Sequence, residues 1–521
     1  MNKIIGFTVS KFKTAHEYDF FQKEIRLFEF KHGLYYIRIW GLNNIENCKI
    51  ENSYYLSFPL NKNLYARNLK IELLPDNSIL IENDWLGSIP VFYNEKEKII
   101  SSLFNVCLTD KKIDKIGFKN FLKSGYSVFN RTPFKEVKHL RYLSSIELGE
   151  NFVVKNKVDS KVENIGNYIT NTETAIAEFK KKINEIEHFS DLDLIVPTSG
   201  GFDSRLVNEV IEEKSKVFSF TYGISSSQDK SFEVVNAKKL SEILNINWKM
   251  ISLNKISPHV KSWHKLFGSS VHLHGMYQIE FYSKISKLKK NGILLSGIVG
   301  DSWAGSIDFI DLKKPLDIFK LTYNHNVSLK QKLTSYDDGI EEFYCNKNNF
   351  NSKTQVIQVI RIKMVLLSFL MTIPEYFGFP SYSPFLDFDC VKLFLSIPHE
   401  QRKNRLWLKK YFISKGINIE DLKLKSIKSN SLNYKSILEE SYNEIDKSLF
   451  KGLVSEKIIN NINNKICKKK INFLDILFTK INNTPKLGWF YRKLNIKQDL
   501  ISIYNYYVIL KSVELNLKDE Y

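Results

Sequence analysis

The residues best suited to chemistry lie in a glycine-rich turn in the middle part of the chain. An apolar run, Leu194–Val196, is followed by Pro197-Thr198-Ser199-Gly200-Gly201-Phe202-Asp203-Ser204. Two adjacent glycines permit a tight turn, and the N–H groups of that turn and of a following helix then point at an anion. Ser199 and Ser204 add hydroxyl donors, and Asp203 can hold the Mg²⁺ that a polyphosphate requires. The turn therefore predicts a site for the phosphate end of a nucleotide.

A second glycine-rich turn follows further along the chain. Leu294-Leu295 precedes Ser296-Gly297-Ile298-Val299-Gly300-Asp301, so a carboxylate again follows an apolar strand. A Gly-Asp turn alone is common in proteins, and only its pairing with the first turn makes it informative. The carboxyl ends of parallel strands share one edge of a sheet, where ligands bind. Asp203 and Asp301 therefore predict a Mg²⁺ clamp at that edge.

The elements around these turns alternate between helices and strands. Ile176, Phe179, Ile183 and Ile186 recur at helical spacing and predict an amphipathic helix. The predicted elements that follow are strands at Leu192–Val196, Val217–Thr221 and Trp248–Leu253, with helices after Gly201 and at Phe232–Leu244. Such alternation argues for a parallel sheet with helices on both faces. The last part of the chain is predicted to be mostly helical.

Residues 1 to about 155 are predicted to be β-rich instead. Short apolar stretches separated by Asn, Asp and Gly occur at Leu34–Ile39, Tyr54–Phe58, Ile71–Leu74, Ile79–Ile81, Val91–Tyr93 and Ile99–Ser102. They favour packed antiparallel sheets with few helices. A chain of 521 residues is too long for one compact core. We therefore place a domain boundary near residue 165, in the polar stretch Asn164–Asn171.

Composition excludes several classes of protein. A hydrophobic content of 43% and an aromatic content of 13% are ample for a packed core and exclude a disordered chain. The longest apolar run, Met364–Met371, is far shorter than the roughly 18 residues that span a bilayer, and is expected to be a buried helix. The start of the chain lacks the long apolar region of a secretory signal. Five scattered cysteines without a CxxC pair fit a reducing cytoplasm.

The net charge of +19 could attract nucleic acid, anionic lipid or an acidic polymer. The lysines are spread along the whole chain, however, beside many asparagines and isoleucines. The densest cluster, Lys465 with Lys468–Lys470, is short and lacks interleaved aromatic residues. This distribution disfavours nucleic acid as a partner.

On these motifs the chain resembles the asparagine synthetase family, which includes β-lactam synthetases and lasso-peptide cyclases. The first turn has the SGGxDS order of ATP-pyrophosphatase loops and lacks the Lys-Ser/Thr pair of a Walker loop. The resemblance extends over nearly the whole chain in the same order. Further similar segments are Asp84-Trp85-Leu86-Gly87-Ser88-Ile89-Pro90-Val91-Phe92-Tyr93, Ser101-Ser102, Thr132-Pro133-Phe134, Leu148-Gly149, Pro384-Phe385-Leu386-Asp387 and Leu395-Ser396-Ile397-Pro398.

The resemblance implies a fold and a set of site residues. Residues 1–165 would form an α+β sandwich like a glutamine amidotransferase domain. Residues 166–521 would form an α/β parallel-sheet ATP-pyrophosphatase domain, adenine nucleotide α-hydrolase-like, with C-terminal helices. Asp203 and Asp301 would bind Mg²⁺. The residues implied to bind ATP are Pro197, Ser199, Gly200, Gly201, Asp203, Ser204, Tyr222, Ser296, Gly297 and Gly300.

The implied reaction is adenylation of a carboxylate with release of pyrophosphate, followed by attack of ammonia or an amine. Three departures from the family's motifs bear on the substrates. Asn2 stands where glutamine-using members carry a catalytic cysteine, so the N-terminal domain is expected to lack glutaminase activity. The second turn lacks both family glutamates, and Tyr382 replaces an arginine. These losses disfavour aspartate as the acceptor and favour a surface-polysaccharide or natural-product pathway.

Several other residues could take part. Adenylation usually needs a lysine, and Lys425 or Lys428 stands where the family places an R-x-K loop, with Lys425 the candidate we name. His272 and His274 could bind a metal, although core or loop roles suit two isolated histidines better. Glu280 and Glu375 could each act as a general base, but neither belongs to a motif.

The sequence thus predicts a cytoplasmic, AMP-forming carbon–nitrogen ligase that uses ATP and Mg²⁺. The acceptor would be a carboxylate-bearing small molecule, sugar or peptide, and the nucleophile ammonia or an amine. A peptide macrocyclase and a non-catalytic nucleotide-binding scaffold are the alternatives. The sequence does not decide whether the protein forms a homodimer.

Overall fold

The computed structural model describes residues 2–13, 25–157, 159–163, 165, 168–307, 310–322, 338–346, 351–483 and 499–519. Its strands are β1 Lys3–Ser10, β2 Ile25–His32, β3 Tyr35–Leu42, β4 Lys49–Ile50, β5 Ser53–Tyr55, β6 Leu69–Leu73, β7 Ile79–Asn83, β8 Phe92–Asn94, β9 Ile99–Ser101, β10 Lys138–His139, β11 Ser144–Leu148, β12 Phe152–Asn156, β13 Leu194–Pro197, β14 Val217–Thr221, β15 Asn247–Met250, β16 Ile293–Leu295 and β17 Ser381–Tyr382.

The helices, joined in places by short 3₁₀ turns, begin after β9 and dominate from residue 338 onward. They are α1 Phe104–Cys107, α2 Lys115–Ser124, α3 Ser160–Glu163, α4 Thr172–Glu187, α5 Phe202–Val210, α6 Phe232–Leu244, α7 Val260–Phe267, α8 Tyr277–Leu288, α9 Asp338–Cys345, α10 Ser352–Leu367, α11 Phe369–Tyr376, α12 Phe388–Ser396, α13 His399–Arg402, α14 Leu406–Ser414, α15 Leu432–Glu439, α16 Glu456–Ile462, α17 Phe473–Asn483 and α18 Leu500–Lys518.

The N-terminal part contains two six-stranded sheets. Their strand orders are β10-β8-β9-β1-β3-β2 and β12-β11-β7-β6-β5-β4, and the paired strands within each are antiparallel. Apolar side chains from both sheets, such as Ile37 and Ile39 of β3 and Ile71 of β6, share one buried core. Strands β1 and β3 are buried along nearly their whole length, because the other face of their sheet also packs against the protein. The expected antiparallel sandwich is confirmed, whereas its likeness to an amidotransferase domain stays a prediction.

The second part is built on a parallel sheet of five strands in the order β15-β14-β13-β16-β17. The chain moves outward from β13 to β14 and β15, and then returns to add β16 on the other side of β13. Strand order therefore reverses between β13 and β16. Loops that leave two such neighbouring strands diverge and open a crevice at the carboxyl edge of the sheet, which is where ligands bind in open α/β folds.

Amphipathic helices cover this sheet as the sequence predicts. Ile176, Phe179, Ile183 and Ile186 of α4 are all buried in the core that contains β13 and α5. Asn171 caps α4, since its side chain accepts the N–H of Thr174 at 2.8 Å. The mixed α/β class is confirmed at this level. The boundary near residue 165 stays a prediction, and residues 164, 166 and 167 lie outside the described ones.

Buried polar contacts join the N-terminal sandwich to the remainder of the chain. The Trp85 indole N–H donates to the Leu386 carbonyl at 2.9 Å, and its ring stacks on Trp303 with centroids 6.4 Å apart. The Glu375 carboxylate of α11 accepts hydrogen bonds from both terminal guanidinium nitrogens of Arg67, at 2.8 and 3.1 Å. Lys3 of β1 lies 3.7 Å from the same carboxylate. This Lys3–Glu375–Arg67 group is buried, so its charges depend on one another for compensation.

One apolar stretch, Ser352–Tyr376, is long and apolar enough to cross a membrane, with a mean hydropathy of 2.0 in its most apolar window. However, 72% of that window is buried inside the protein, as in the core helix of a globular domain. The expected buried helix at Met364–Met371 is confirmed, since these residues end α10 and begin α11 with most of their side chains buried. The uninterrupted apolar run is short because Lys363 precedes it, whereas the whole stretch is apolar on average.

Candidate functional site

The first glycine-rich turn joins β13 to α5 through a left-handed residue. Gly200 has φ +69°, and a Cβ there would lie 2.4 Å from the Cβ of Asn236 and 2.9 Å from the backbone nitrogen of Ala237. Only glycine therefore lets the turn lie against α6. Gly201 has an ordinary φ of −68° and precedes the first turn of α5 without a side-chain cap. The N–H groups of this helix start are available to an anion.

Hydroxyl groups organise the interior of the turn. The Ser199 N–H donates to Ser204 Oγ at 3.3 Å, and the Gly201 N–H donates to Ser199 Oγ at 3.3 Å. Arg205 then fixes the turn from behind, because one of its nitrogens donates to the Gly200 carbonyl at 2.9 Å. The same guanidinium binds both carboxylate oxygens of Glu420 at 2.7 and 2.8 Å. Bidentate pairing of this kind holds geometry as well as charge.

The second glycine-rich turn, after β16, lies directly against the first. A Cβ on Gly297 would lie 3.0 Å from the Ser204 nitrogen, and a Cβ on Gly300 would lie 3.0 Å from the Cβ of Asp203 and 2.7 Å from the Phe385 ring. Val299, between them, has a left-handed φ of +56°. The glycines thus bring the two turns together at the point where the strand order reverses.

Asp203 and Asp301 meet in this crevice. Burial raises the pKa of Asp203 to about 8, and the negative charge of Asp301 adds to this shift. The hydrogen bond from the Asp301 N–H and the charge of Arg405 oppose it. Asp203 Oδ1 is buried and has no hydrogen-bond partner among the described residues. Asp301 accepts from the hydroxyls of Ser302 and Ser306 at 3.3 and 3.1 Å. A divalent cation fits here, because it would compensate two neighbouring carboxylates and coordinate the unpartnered oxygen.

Two cations lie beside this aspartate pair. The charge of Arg405 acts on Asp203, and its guanidinium lies over the Phe202 ring with 4.7 Å to the ring centroid. Lys363 of α10 is half-buried; burial lowers its pKa, and the charge of Asp301 opposes that shift. The crevice therefore combines acidic and basic groups, as a site for a metal-bound polyphosphate requires.

The other residues expected to bind nucleotide lie around the same edge of the sheet. Pro197 ends β13, and Tyr222 directly follows β14, where its hydroxyl accepts from Gln278 at 2.9 Å. Ser296 directly follows β16, and its hydroxyl accepts the Ile298 N–H at 3.2 Å. Strands β14, β13 and β16 are neighbours, so the structure places these residues beside the two turns. Their roles toward a nucleotide stay predictions.

Lys425 lies on a different element. Its side chain is exposed, and its loop is fixed by Ile427, which exchanges backbone hydrogen bonds with Lys230 and Phe232 at 2.8 and 2.9 Å. Within the described residues, Lys425 forms no ion pair, whereas Lys363 and Arg405 are electrostatically coupled to the aspartates. Lys425 as the adenylation lysine therefore stays a prediction without a contact that supports it.

The remaining candidates have structural partners. His272 Nδ1 accepts the His274 N–H at 3.0 Å and begins a helical turn, and no group of three metal-ligating side chains occurs among the residues described. Glu280 accepts the Asn254 N–H at 2.9 and 3.0 Å and pairs with Lys284 at 2.6 Å. Glu375 is held in the buried group with Lys3 and Arg67.

Comparisons with known proteins add little to this geometry. No family model matches the chain, and no curated protein sequence matches it. Among solved structures it is similar to an NH3-dependent NAD synthetase from Campylobacter jejuni subsp. jejuni NCTC 11168 in complex with the nitrate ion. The identity is 16% and the TM-score 0.22, over 38% of this chain and 96% of that one. So low a TM-score supports no inference about fold or activity.

Arg405 and Lys363 are the site residues that the sequence did not point to. Arg405 has no motif around it and reaches the crevice only through the packing of segments distant in sequence. Lys363 gave one signal, since it and Arg361 are cations within the apolar stretch 359–367. A cation that folding places in such a stretch needs a partner or a function.

Proposed function

We propose that the protein binds ATP with Mg²⁺ in the crevice between β13 and β16 and uses it to adenylate a carboxylate. The observation that carries this proposal is the meeting of Asp203 with Asp301 between two glycine turns at the reversal of strand order. The buried, unpartnered oxygen of Asp203 beside the negative charge of Asp301 is unfavourable without a cation. Helix α5 begins at the same turn and offers its N–H groups to phosphate oxygens.

The proposed reaction has two steps. A carboxylate oxygen of the acceptor attacks the α-phosphorus of ATP, the bond from that phosphorus to the α,β-bridging oxygen breaks, and its electron pair leaves with pyrophosphate. Ammonia or an amine then attacks the activated acyl carbon. The bond from that carbon to the AMP oxygen breaks, AMP leaves with the electron pair, and the nitrogen loses a proton to water. The product is an amide.

The residues of the crevice divide this work. Ser199, Ser204 and the start of α5 would hold the phosphate end of ATP, and Pro197 with Tyr222 would flank the adenosine. Asp203 and Asp301 would hold Mg²⁺, which when bound neutralises negative charge on the phosphates. Arg205 keeps the turn in place through Glu420 and the Gly200 carbonyl. Preorganised donors of this kind stabilise a charged transition state without moving during the reaction.

The proposal also concerns the class of carboxylate that accepts the adenylyl group. We infer a sugar acid, an amino-acid derivative or a peptide, because the second turn lacks the two glutamates of the asparagine synthetase family and Tyr382 stands in place of its arginine. The resemblance to the asparagine synthetase family supports the reaction type, and the altered turn supports a different acceptor. We further infer that the N-terminal sandwich supplies no ammonia of its own.

The test is release of pyrophosphate from ATP and Mg²⁺ by the wild type and by Asp203→Ala, over a panel of carboxylates with ammonia or amines. Asp191→Ala is the matched control, because Asp191 precedes the same strand and its side chain is fully exposed. We expect release that depends on one class of carboxylate, disappears in Asp203→Ala and persists in Asp191→Ala.

Two other outcomes would redirect the proposal. Binding of ATP and Mg²⁺ without release would show the nucleotide site and move the search to further carboxylates. If the wild type neither binds ATP with Mg²⁺ nor releases pyrophosphate, the enzyme proposal is wrong. A non-catalytic scaffold would then describe the protein better.

A further inference from the structure

We propose that Arg405 binds the pyrophosphate end of ATP and stays with pyrophosphate as it leaves. This inference rests on the proposed function and adds to it a residue that no motif indicates. Arg405 lies at the start of α14, more than two hundred residues after the first glycine turn in sequence, yet beside that turn in space. Its place there is explained by three independent features of the structure.

The first feature is the backbone conformation of the loop. Asn404 and Arg405 are consecutive left-handed residues, with φ of +54° and +58°. Asparagine tolerates this conformation, whereas arginine rarely adopts it because its Cβ crowds the backbone. Left-handed non-glycine residues persist only where the surroundings enforce them, and they cluster at functional sites. The strained backbone of this loop therefore places the Arg405 side chain against Phe202, beside the first glycine turn.

The second feature is the contact between this loop and the one that carries Asp301. Gly305 has φ +109°, and a Cβ on it would lie only 2.1 Å from the Arg402 carbonyl oxygen. The Trp407 indole N–H donates to the Ala304 carbonyl at 3.0 Å. The segment after Asp301 therefore holds the Arg402–Arg405 loop on both sides, and the two loops form one wall of the crevice.

The third feature is the position of the guanidinium itself. It lies over the ring of Phe202, the first residue of α5, with 4.7 Å to the ring centroid, and it is half-buried. Phe202 adjoins both Gly201 of the turn and Asp203 of the aspartate pair. A guanidinium carries its N–H donors in one plane, which suits bidentate binding of phosphate.

Arg405 and the aspartates would then share the work of the site. The acidic pair attracts the metal, and the arginine meets phosphate oxygens whose charge increases when the bond to the α-phosphorus breaks. Because pyrophosphate carries more negative charge than the part of ATP that it came from, a fixed cation stabilises the later state more. AMP lacks the β- and γ-phosphates, so Arg405 should contribute little to its binding.

The experiment is isothermal titration calorimetry with three probes: inorganic pyrophosphate with Mg²⁺, ATP with Mg²⁺, and AMP. The full chain is compared with Arg405→Ala and with Arg405→Met, which keeps an unbranched side chain on Phe202 but removes the charge. Lys403→Ala is the matched control, since Lys403 is an exposed cation of the same loop. No carboxylate acceptor is needed for any of these measurements.

We expect Arg405→Met to weaken binding of pyrophosphate and ATP by about ten- to a hundredfold, the loss of one or two charge-assisted hydrogen bonds. AMP binding should stay at the wild-type level, and Lys403→Ala should bind all three probes normally. If Arg405→Ala unfolds because the contact with Phe202 is lost while the left-handed backbone conformation remains, Arg405→Met with an unchanged melting temperature decides the matter.

The failures of the two proposals are distinguishable. A folded Arg405→Met that binds pyrophosphate as tightly as the wild type overturns the role of Arg405 and leaves the proposed function intact. Equal loss of AMP and pyrophosphate binding would also overturn it, because a specific phosphate contact spares AMP. Wild-type protein that binds neither ATP nor pyrophosphate would overturn the proposed function and this inference with it.

Discussion

Burial of the Asp203 carboxyl group is costly for folding, and we infer that the residue serves binding instead. Its carboxylate is buried beside Asp301, and one of its oxygens has no partner among the described residues. A sequence under selection for stability alone would place an amide or an apolar residue there. The aspartate therefore carries a stability penalty that a bound cation would remove.

We predict that Asp203→Asn makes the metal-free protein more stable and insensitive to Mg²⁺. The free energy of unfolding should rise by about 2 kcal/mol at neutral pH without Mg²⁺, because a carboxyl group whose pKa is raised to about 8 must take up a proton on folding, whereas an amide need not. Added Mg²⁺ should stabilise the wild type by mass action and leave the variant unchanged. Urea unfolding with and without Mg²⁺ measures both effects. A variant less stable than the wild type in the absence of Mg²⁺ would contradict this account.

A second residue-scale prediction concerns pH and His139. Burial lowers the pKa of this histidine from 6.5 to about 4, while its hydrogen bond to the Phe129 carbonyl opposes the shift. The folded state thus holds His139 neutral, and the unfolded state takes up a proton first as the pH falls. The stability that neutral His139 provides is complete above its ordinary pKa of 6.5 and is lost as the pH falls toward 4.

The loss from this one group should be about 3 kcal/mol across that interval. His139→Gln keeps a side-chain donor for the Phe129 carbonyl but does not titrate. Its free energy of unfolding should therefore depend less on pH than that of the wild type between 6.5 and 4. Chemical denaturation at a series of pH values gives the difference. Parallel pH curves for the two proteins would exclude His139 as the source.

At the scale of elements, the first glycine turn predicts a sharp difference between glycines. Gly200→Ala combines a left-handed φ with a Cβ that would overlap Asn236, so we expect a loss of about 3 kcal/mol or more, together with loss of ATP binding. Gly378 is the matched control, because its φ is also positive, at +90°, but nothing lies within 4 Å of the added Cβ. Gly378→Ala should cost only about 1 kcal/mol.

Thermal unfolding of the two variants, with nucleotide binding as a second readout, separates backbone strain from steric overlap. Similar losses in Gly200→Ala and Gly378→Ala would mean that contact with α6 does not constrain the turn. Retained ATP binding in Gly200→Ala would argue against the turn as the phosphate site.

Most elements around the site could be predicted because their signals are local. The helix Phe232–Leu244 and the strand Val217–Thr221 have the bounds that periodicity gave them. The strand Trp248–Leu253 is shorter and shifted, to Asn247–Met250, since the last residues of an edge strand depend on their neighbour's hydrogen bonds. Both glycine turns were found from sequence because glycine and carboxylate residues after an apolar strand are a short-range pattern.

Arg405, by contrast, could not be predicted from local sequence. Its position depends on Gly305 against Arg402 and on Trp407 against Ala304, contacts between segments about a hundred residues apart. Lys425, chosen by its place relative to a family motif, lies on an exposed loop instead. In a chain with so many lysines, spacing alone cannot tell a site cation from a solvated one.

At the scale of the whole molecule, the buried Lys3–Glu375–Arg67 group joins the first strand to a helix of the second part. Burial lowers the pKa of Lys3 to about 8, and the charge of Glu375 opposes that shift. Such a group contributes little net stability when complete. Removal of one member leaves a buried charge without compensation, which makes the contact between the two parts specific.

We therefore predict that Glu375→Gln destabilises the protein by about 3–5 kcal/mol, since Lys3 and Arg67 would lose their shared counter-ion. The matched control is Glu51→Gln, which breaks an exposed pair with Lys62 at 2.9 Å and should leave the melting temperature unchanged. Calorimetry measures the loss, and limited proteolysis shows whether the two parts separate. Equal melting temperatures for both variants would show that the buried group does not hold the parts together.

The stacked pair of Trp85 and Trp303 provides a spectroscopic signal for movement of the Asp301 turn. Trp303 lies two residues after Asp301 and donates its indole N–H to the Phe385 carbonyl at 2.9 Å, while Trp85 belongs to the N-terminal sandwich. Electronic coupling of two indoles depends steeply on their separation and on the 25° angle between their planes. A shift of the Asp301 turn by a fraction of an ångström on metal binding would therefore change near-ultraviolet circular dichroism and tryptophan emission, with no label attached.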